Sequence, residues 1–183
     1  MANLPGMGNA PDTATQQSVL VGRVLGYCEM ALDGLTREQI NDTQGGLTNS
    51  LGFDVWHVAR TIDNIIHFVF EREQPVWLKE SFHERWNLPK VDQGTGMDAS
   101  DAYALAFPAA DEFTKYTSAV SAEVVPRIAA MSDDYLATVM TIRPWGEVPR
   151  VEAIGHGLIG HGNGHLGRAS YVRTLNGLPG LPY

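Results

Sequence analysis

Two segments far apart in the chain carry apolar residues on the same three- and four-residue beat. Nothing else in the sequence restricts the fold as tightly. Within residues 49–72, Leu51, Val55, Val58, Ile62, Ile65 and Val69 step by 4, 3, 4, 3 and 4. Within residues 149–172, Val151, Ile154, Leu158, His161, His165 and Val172 step by 3, 4, 3, 4 and 7. A helix turns by about 100° per residue, so this beat lays a stripe along one face that must be buried against other helices. A third run, Val21, Val24, Leu25, Cys28 and Leu32, predicts an amphipathic helix stopped near Gly34. Another long helix starts near DASD (98–101) and runs toward Met131, with Pro108 and Pro126 expected to kink or segment it. No stretch sustains the period-two alternation of strands. The expected fold is all-α: a four-helix bundle with a long crossover connection.

The connections carry their own signals. TREQ (36–39) reads as a capping box opening a short helical turn. Residues 75–97 form the long connection, with one short helix and a glycine-rich end. The stretch around Pro144 and Trp145 reads as irregular, and Pro149 suits the first position of the last helix. Residues 1–12 are expected to form a flexible tail.

Composition narrows the function classes. With 13 Lys+Arg against 21 Asp+Glu, the net charge of −8 disfavours a phosphate-binding surface, so no nucleic-acid partner is expected. The N-terminus lacks the basic and apolar regions of a signal peptide, and no stretch approaches the roughly 20 apolar residues of a membrane span. Cys28 is the single cysteine and sits among apolar residues, which fits a buried thiol and a cytoplasmic location.

The segment GHGLIGHGNGHLG (155–167) packs three of the six histidines and six glycines into thirteen positions. Its place in the 149–172 beat makes it a helix in spite of about 1 kcal/mol lost per interior glycine relative to alanine. Gly157, Gly160, Gly164 and Gly167 step by 3, 4 and 3 along one edge, as expected of a surface another backbone approaches closely. His161 and His165 point within about 40° of each other, whereas His156 points about 180° from His165. Two imidazoles at i and i+4 are the spacing of a divalent-metal site on a helix, and the metal then needs another ligand from a facing helix. The pair also fits two core histidines hydrogen-bonded to neighbours.

Three motifs together narrow that choice: WHVARTID (56–63), the tryptophan-containing connection ending in GTGM (94–97), and GHGNGHLG (160–167). With the closing LNGLPGLPY, the chain resembles the DinB-like (DinB/YfiT-like) metalloenzymes over roughly residues 15–183. The resemblance implies one DinB-like four-helix-bundle domain over 13–183, commonly a homodimer. It further implies a zinc or nickel ion held by His57, His161 and His165. By its spacing alone, His57 lies off the Ile62 seam, so either its helix is buried on two faces or His57 is not a ligand. Leu166 stands where many relatives carry arginine or histidine after the second histidine of the pair.

Arg60 and Asp63 read as groups supporting the site or as an ordinary surface pair, and Asn163, His67 and His83 as surface or loop residues. Most of the four tryptophans read as core. Three nitrogen ligands leave coordination positions open, the pattern of a catalytic metal site. The resemblance implies a thiol-dependent transferase or isomerase acting on a small molecule with a low-molecular-weight thiol. The alternatives are a non-catalytic metal-binding protein and a small-molecule-binding bundle. No side chain is singled out as a general acid, base or nucleophile.

Overall fold

A computed structural model describes residues 12–182. The expected tail falls outside them except for Asp12, whose carboxylate caps the first helix by accepting from the Thr15 amide at 2.7 Å. That helix, α1 (Thr13–Leu32), is followed by α2 (Arg37–Asn41), which opens on the expected capping box of Thr36 and Gln39. Ser50 caps α3 (Leu51–Asp63), which runs without a break into π-helical turns over Asn64–Val69. The crossover holds three short helices, α4 (Val76–Lys79), α5 (Phe82–Trp86) and α6 (Ala99–Ala104). Pro108 then separates α6 from α7 (Ala110–Ala129), whereas Pro126 is accommodated inside the last turns of α7.

After α8 (Asp133–Ala137) comes a departure from expectation. The stretch around Pro144 and Trp145 is an antiparallel hairpin of β1 (Val139–Ile142) and β2 (Gly146–Pro149), paired from Val139↔Pro149 to Ile142↔Gly146. Its strands are four residues each, too short for alternation to stand out. Pro149 then caps α9 (Arg150–Glu152), one position before the expected place. The helix continues through π turns at Ala153–Gly160 into α10 (His161–Leu175).

The long helices α1, α3, α7 and α10 form the bundle, with α1 packed along α7 and α10 along α3. Every residue of α3 is buried, because α1, α2, α7, α10 and the crossover surround it. Trp56, Trp77, Phe107, Phe113 and Tyr116 fill the end of the core beneath the crossover.

The last helix corrects two expectations. Its buried face runs through Ile154, Leu158, Gly162, Leu166, Ala169 and Val172, while His161 and His165 lie half-buried beside it. Hydrogen bonds in π turns span five residues instead of four, so the turns before His161 rotate the rest of the helix out of a simple α register. The expected glycine edge also dissolves. At Gly157 an added Cβ would lie 2.3 Å from the Trp145 ring, but at Gly164 and Gly167 it would meet open space, and at Gly160 only an ordinary contact at 3.5 Å. The close approach on the bundle side is at Gly162, 3.0 Å from Val24 and 3.4 Å from Val58.

Candidate metal centre

Burial of α3 on all sides resolves the position of His57. The residue has no need of the Ile62 seam to face the interior, and it is 5% exposed where α3 meets α10. Its Nε2 lies 3.1 Å from His161 Nε2, which lies 3.0 Å from His165 Nε2. One ligand atom from each of the three falls within 4.8 Å of the others. Nitrogens bound at about 2.0–2.1 Å in tetrahedral or octahedral geometry sit about 2.8–3.4 Å apart, so the His57–His161 and His161–His165 spacings accept a divalent ion.

The outer ring nitrogens decide which lone pairs face inward. His57 Nδ1 is 2.5 Å from the Gln93 carbonyl, which can only accept. His165 Nδ1 is 2.8 Å from Asp54 Oδ1, in a carboxylate that also takes the Arg168 guanidinium at 2.5 and 3.1 Å. His57 therefore carries its proton on Nδ1 and turns an unprotonated Nε2 inward, whereas His165 Nδ1 lies between Asp54 Oδ1, which accepts, and Arg168 Nη2 at 2.7 Å, which donates. His161 Nε2 can donate to one of those neighbours at most. Three converging nitrogens with a shortage of protons are a donor set for a cation.

Electrostatics keep His57 and His161 neutral. Burial, reinforced by His165 and His161, pushes His57 down to about 4. Burial, then the neighbouring His165 and Arg168, pushes His161 down to about 4 as well. Neutral imidazole is the metal-binding form.

Asp54 and Arg168 are the residues that sequence reasoning missed. Both were findable by spacing: Asp54 is three residues before His57 and Arg168 three after His165, each on the face of a ligand. His156 is exposed and outside the cluster, as its direction predicts, and Asn163 is exposed.

Arg60, Asp63 and His67 prove to be something else. Asp63 is fully buried and accepts from His67 Nδ1, the Val76 and Trp77 amides and the Tyr116 hydroxyl at 2.8–2.9 Å. It pins the crossover to α3 and makes no bond to the three histidines or to Asp54. Arg60 lies over the Trp77 ring and donates to the Val91 carbonyl, so the surface-pair reading is overturned by burial. His67, expected at the surface, is 1% exposed. Burial opposes its charge, but the hydrogen bond and charge of Asp63 outweigh that and leave its pKa raised. His83 sits half-buried in the crossover helix α5, and Cys28 is buried.

A sequence profile of the DinB superfamily matches residues 23–169. Among solved structures, a conserved protein from Enterococcus faecalis superposes with a TM-score of 0.78 at 21% identity, covering 91% of this chain and 98% of that one. No curated protein matches. No helix among the described residues is long and apolar enough to cross a membrane. Match length, helical architecture and the solved relative agree: this chain belongs to the DinB superfamily.

Proposed function

We propose that the chain is a divalent-metal-dependent enzyme in which His57, His161 and His165 hold zinc or nickel and a low-molecular-weight thiol is transferred to, or isomerises, a small molecule. The observation that carries this reading is the inward set of three Nε2 atoms whose outer nitrogens are committed to Gln93 and Asp54. Three protein ligands leave positions open for a water, a thiol or a substrate atom. A divalent ion bound there supplies Lewis acidity that lowers the pKa of a bound water or thiol.

The chain's own contribution is positioning and exclusion. Phe53 stacks on the His57 ring at 5.8 Å and keeps water from that side. Asp54, held by Arg168, orients His165. The half-buried edges of His161 and His165 are the open side. Exposed Leu20, half-buried Ile159 and exposed Asn163 line one surface between α1 and the last helix, which we propose as the face of a homodimer in the cytoplasm.

The test has two stages. Protein purified without a histidine tag and refolded with zinc or nickel is expected to retain about one equivalent by elemental analysis. Turnover is then sought with a panel of low-molecular-weight thiols and electrophilic acceptors. Retention below about a tenth of an equivalent removes the metal reading. A fully loaded protein inert across the panel favours a non-catalytic binding role.

A further inference from the structure

The GTGM stretch contributes nothing directly to the histidine cluster, yet it ends a strap of backbone laid over α3. Three side chains bond to alternate carbonyls of that strap. Trp77 Nε1 donates to Pro89 at 3.1 Å, Arg60 to Val91 at 3.4 Å, and His57 Nδ1 to Gln93 at 2.5 Å. Although its backbone bends at Lys90 and Val91, the strap thus presents one row of acceptors to the bundle. Its last acceptor is the one that fixes His57.

Gly94 makes that last bond possible. It has φ +90°, and a Cβ there would lie 2.7 Å from Phe53 Cζ and 3.2 Å from Trp56 Cζ3. Phe53 in turn stacks on the imidazole of His57 with an interplanar angle of 14°. A side chain at 94 would therefore lift the Gln93 carbonyl and press on Phe53, moving His57 by two routes. The Gly94 amide is tied to Asp92 Oδ1 at 2.7 Å, which holds the turn. His161 and His165 need no such device, since one helix sets their spacing. His57 comes from another helix.

We propose that the strap of residues 89–94 is the positioning element for His57, and that Gly94 is the residue that lets it close. This inference rests on the metal reading above for its consequence, though its hold on His57 exists without metal. With the strap in place, the His57 proton stays on Nδ1 and Nε2 faces His161. With the strap lifted, the ring turns or moves its proton to Nε2, which then cannot bind a metal.

The experiment compares wild type, Gly94→Ala and Gly96→Ala. Gly96 has φ +71° and open space around a Cβ, so its variant carries the backbone strain without the contact. Two quantities are read: zinc affinity by competition with a chelator, and the His57 ring-nitrogen NMR shifts of the metal-free protein. Gly94→Ala is expected to bind zinc about 10–100-fold more weakly and to lose the pure Nδ1–H tautomer, with Gly96→Ala like wild type. If Gly94→Ala matches Gly96→Ala in both, the proposal is overturned. Should Gly94→Ala fail to fold, Asp92→Ala replaces it: weaker zinc binding with a changed His57 tautomer supports the strap, and wild-type values overturn it. Wild type that binds no zinc, but whose His57 tautomer depends on Gly94, removes the metal reading and leaves the positioning role standing.

Discussion

Two buried polar clusters hang from α3, one around Asp63 and one around His57, and they are satisfied in opposite ways. The Asp63 carboxylate receives four donors, from His67, Val76, Trp77 and Tyr116, and sits at zero exposure. Its charge and lone pairs are used up, as a structural joint requires. At His57 the balance is reversed: three Nε2 atoms converge, that of His57 without a proton, and two of the three rings stand half-buried at an open edge. A saturated cluster holds the chain together; a cluster short of protons is built for something the chain does not itself supply. Histidine occurs in both, so residue type alone does not separate joint from site.

The largest effect expected from breaking this contrast is on the joint. Asp63→Ala leaves the buried Val76, Trp77 and Tyr116 donors without an acceptor and frees the crossover, and is expected to cost about 3–5 kcal/mol of stability, read as a denaturant midpoint shift. A loss below about 1 kcal/mol would show that the joint is not one. On the other side, His161→Ala is expected to weaken divalent-ion binding by about 100-fold or more while leaving the metal-free melt within about 1 kcal/mol of wild type. A variant that unfolds outright would put the histidines in the same class as Asp63.

The next effect sharpens what lies around the site. Gly162→Ala forces a methyl group against Val24 and Val58 and is expected to cost about 1–3 kcal/mol. Gly164→Ala, two residues on, points into open space and is expected to gain up to about 1 kcal/mol from helix propensity. Thermal melts of the pair check this, and a destabilised Gly164→Ala variant would reveal a partner on that face.

The smallest effect is on pH dependence without metal. His57 and His161 have pKa values lowered from 6.5 to about 4 in the folded protein. Below about pH 6.5 the unfolded chain binds protons that the folded chain refuses, so stability is full above that pH and declines toward about pH 4. His161→Ala is expected to flatten the decline in melting temperature between these limits. An unchanged slope would place the lost protons elsewhere.

Much of the architecture was legible. The beats in residues 49–72 and 149–172 place both long helices, the capping box at Thr36 marks α2, and Pro108 marks the break before α7. The hairpin around Trp145 was not legible, because paired four-residue strands give each other their identity through bonds the linear pattern does not display. Of the candidate site, His161 and His165 follow from i, i+4 spacing, whereas His57 entered through family resemblance and only the buried surroundings of α3 justify it physically.

What the sequence by itself determined is whatever depends on near neighbours along the chain: helices, their caps, and a histidine pair sharing one turn. Those features follow from backbone geometry repeated over a few residues. What only the tertiary structure decided is which polar groups meet across long separations. Asp54 reaches His165 across 111 positions, Gln93 reaches His57 across 36, and Tyr116 reaches Asp63 across 53. Each bond exists because packing brought the helices and the crossover together, and packing is a property of the whole core. The π turns before His161 make the same point within a single helix: they rotate Gly162 and Leu166 into the core and leave the two histidines at its edge, where they face His57.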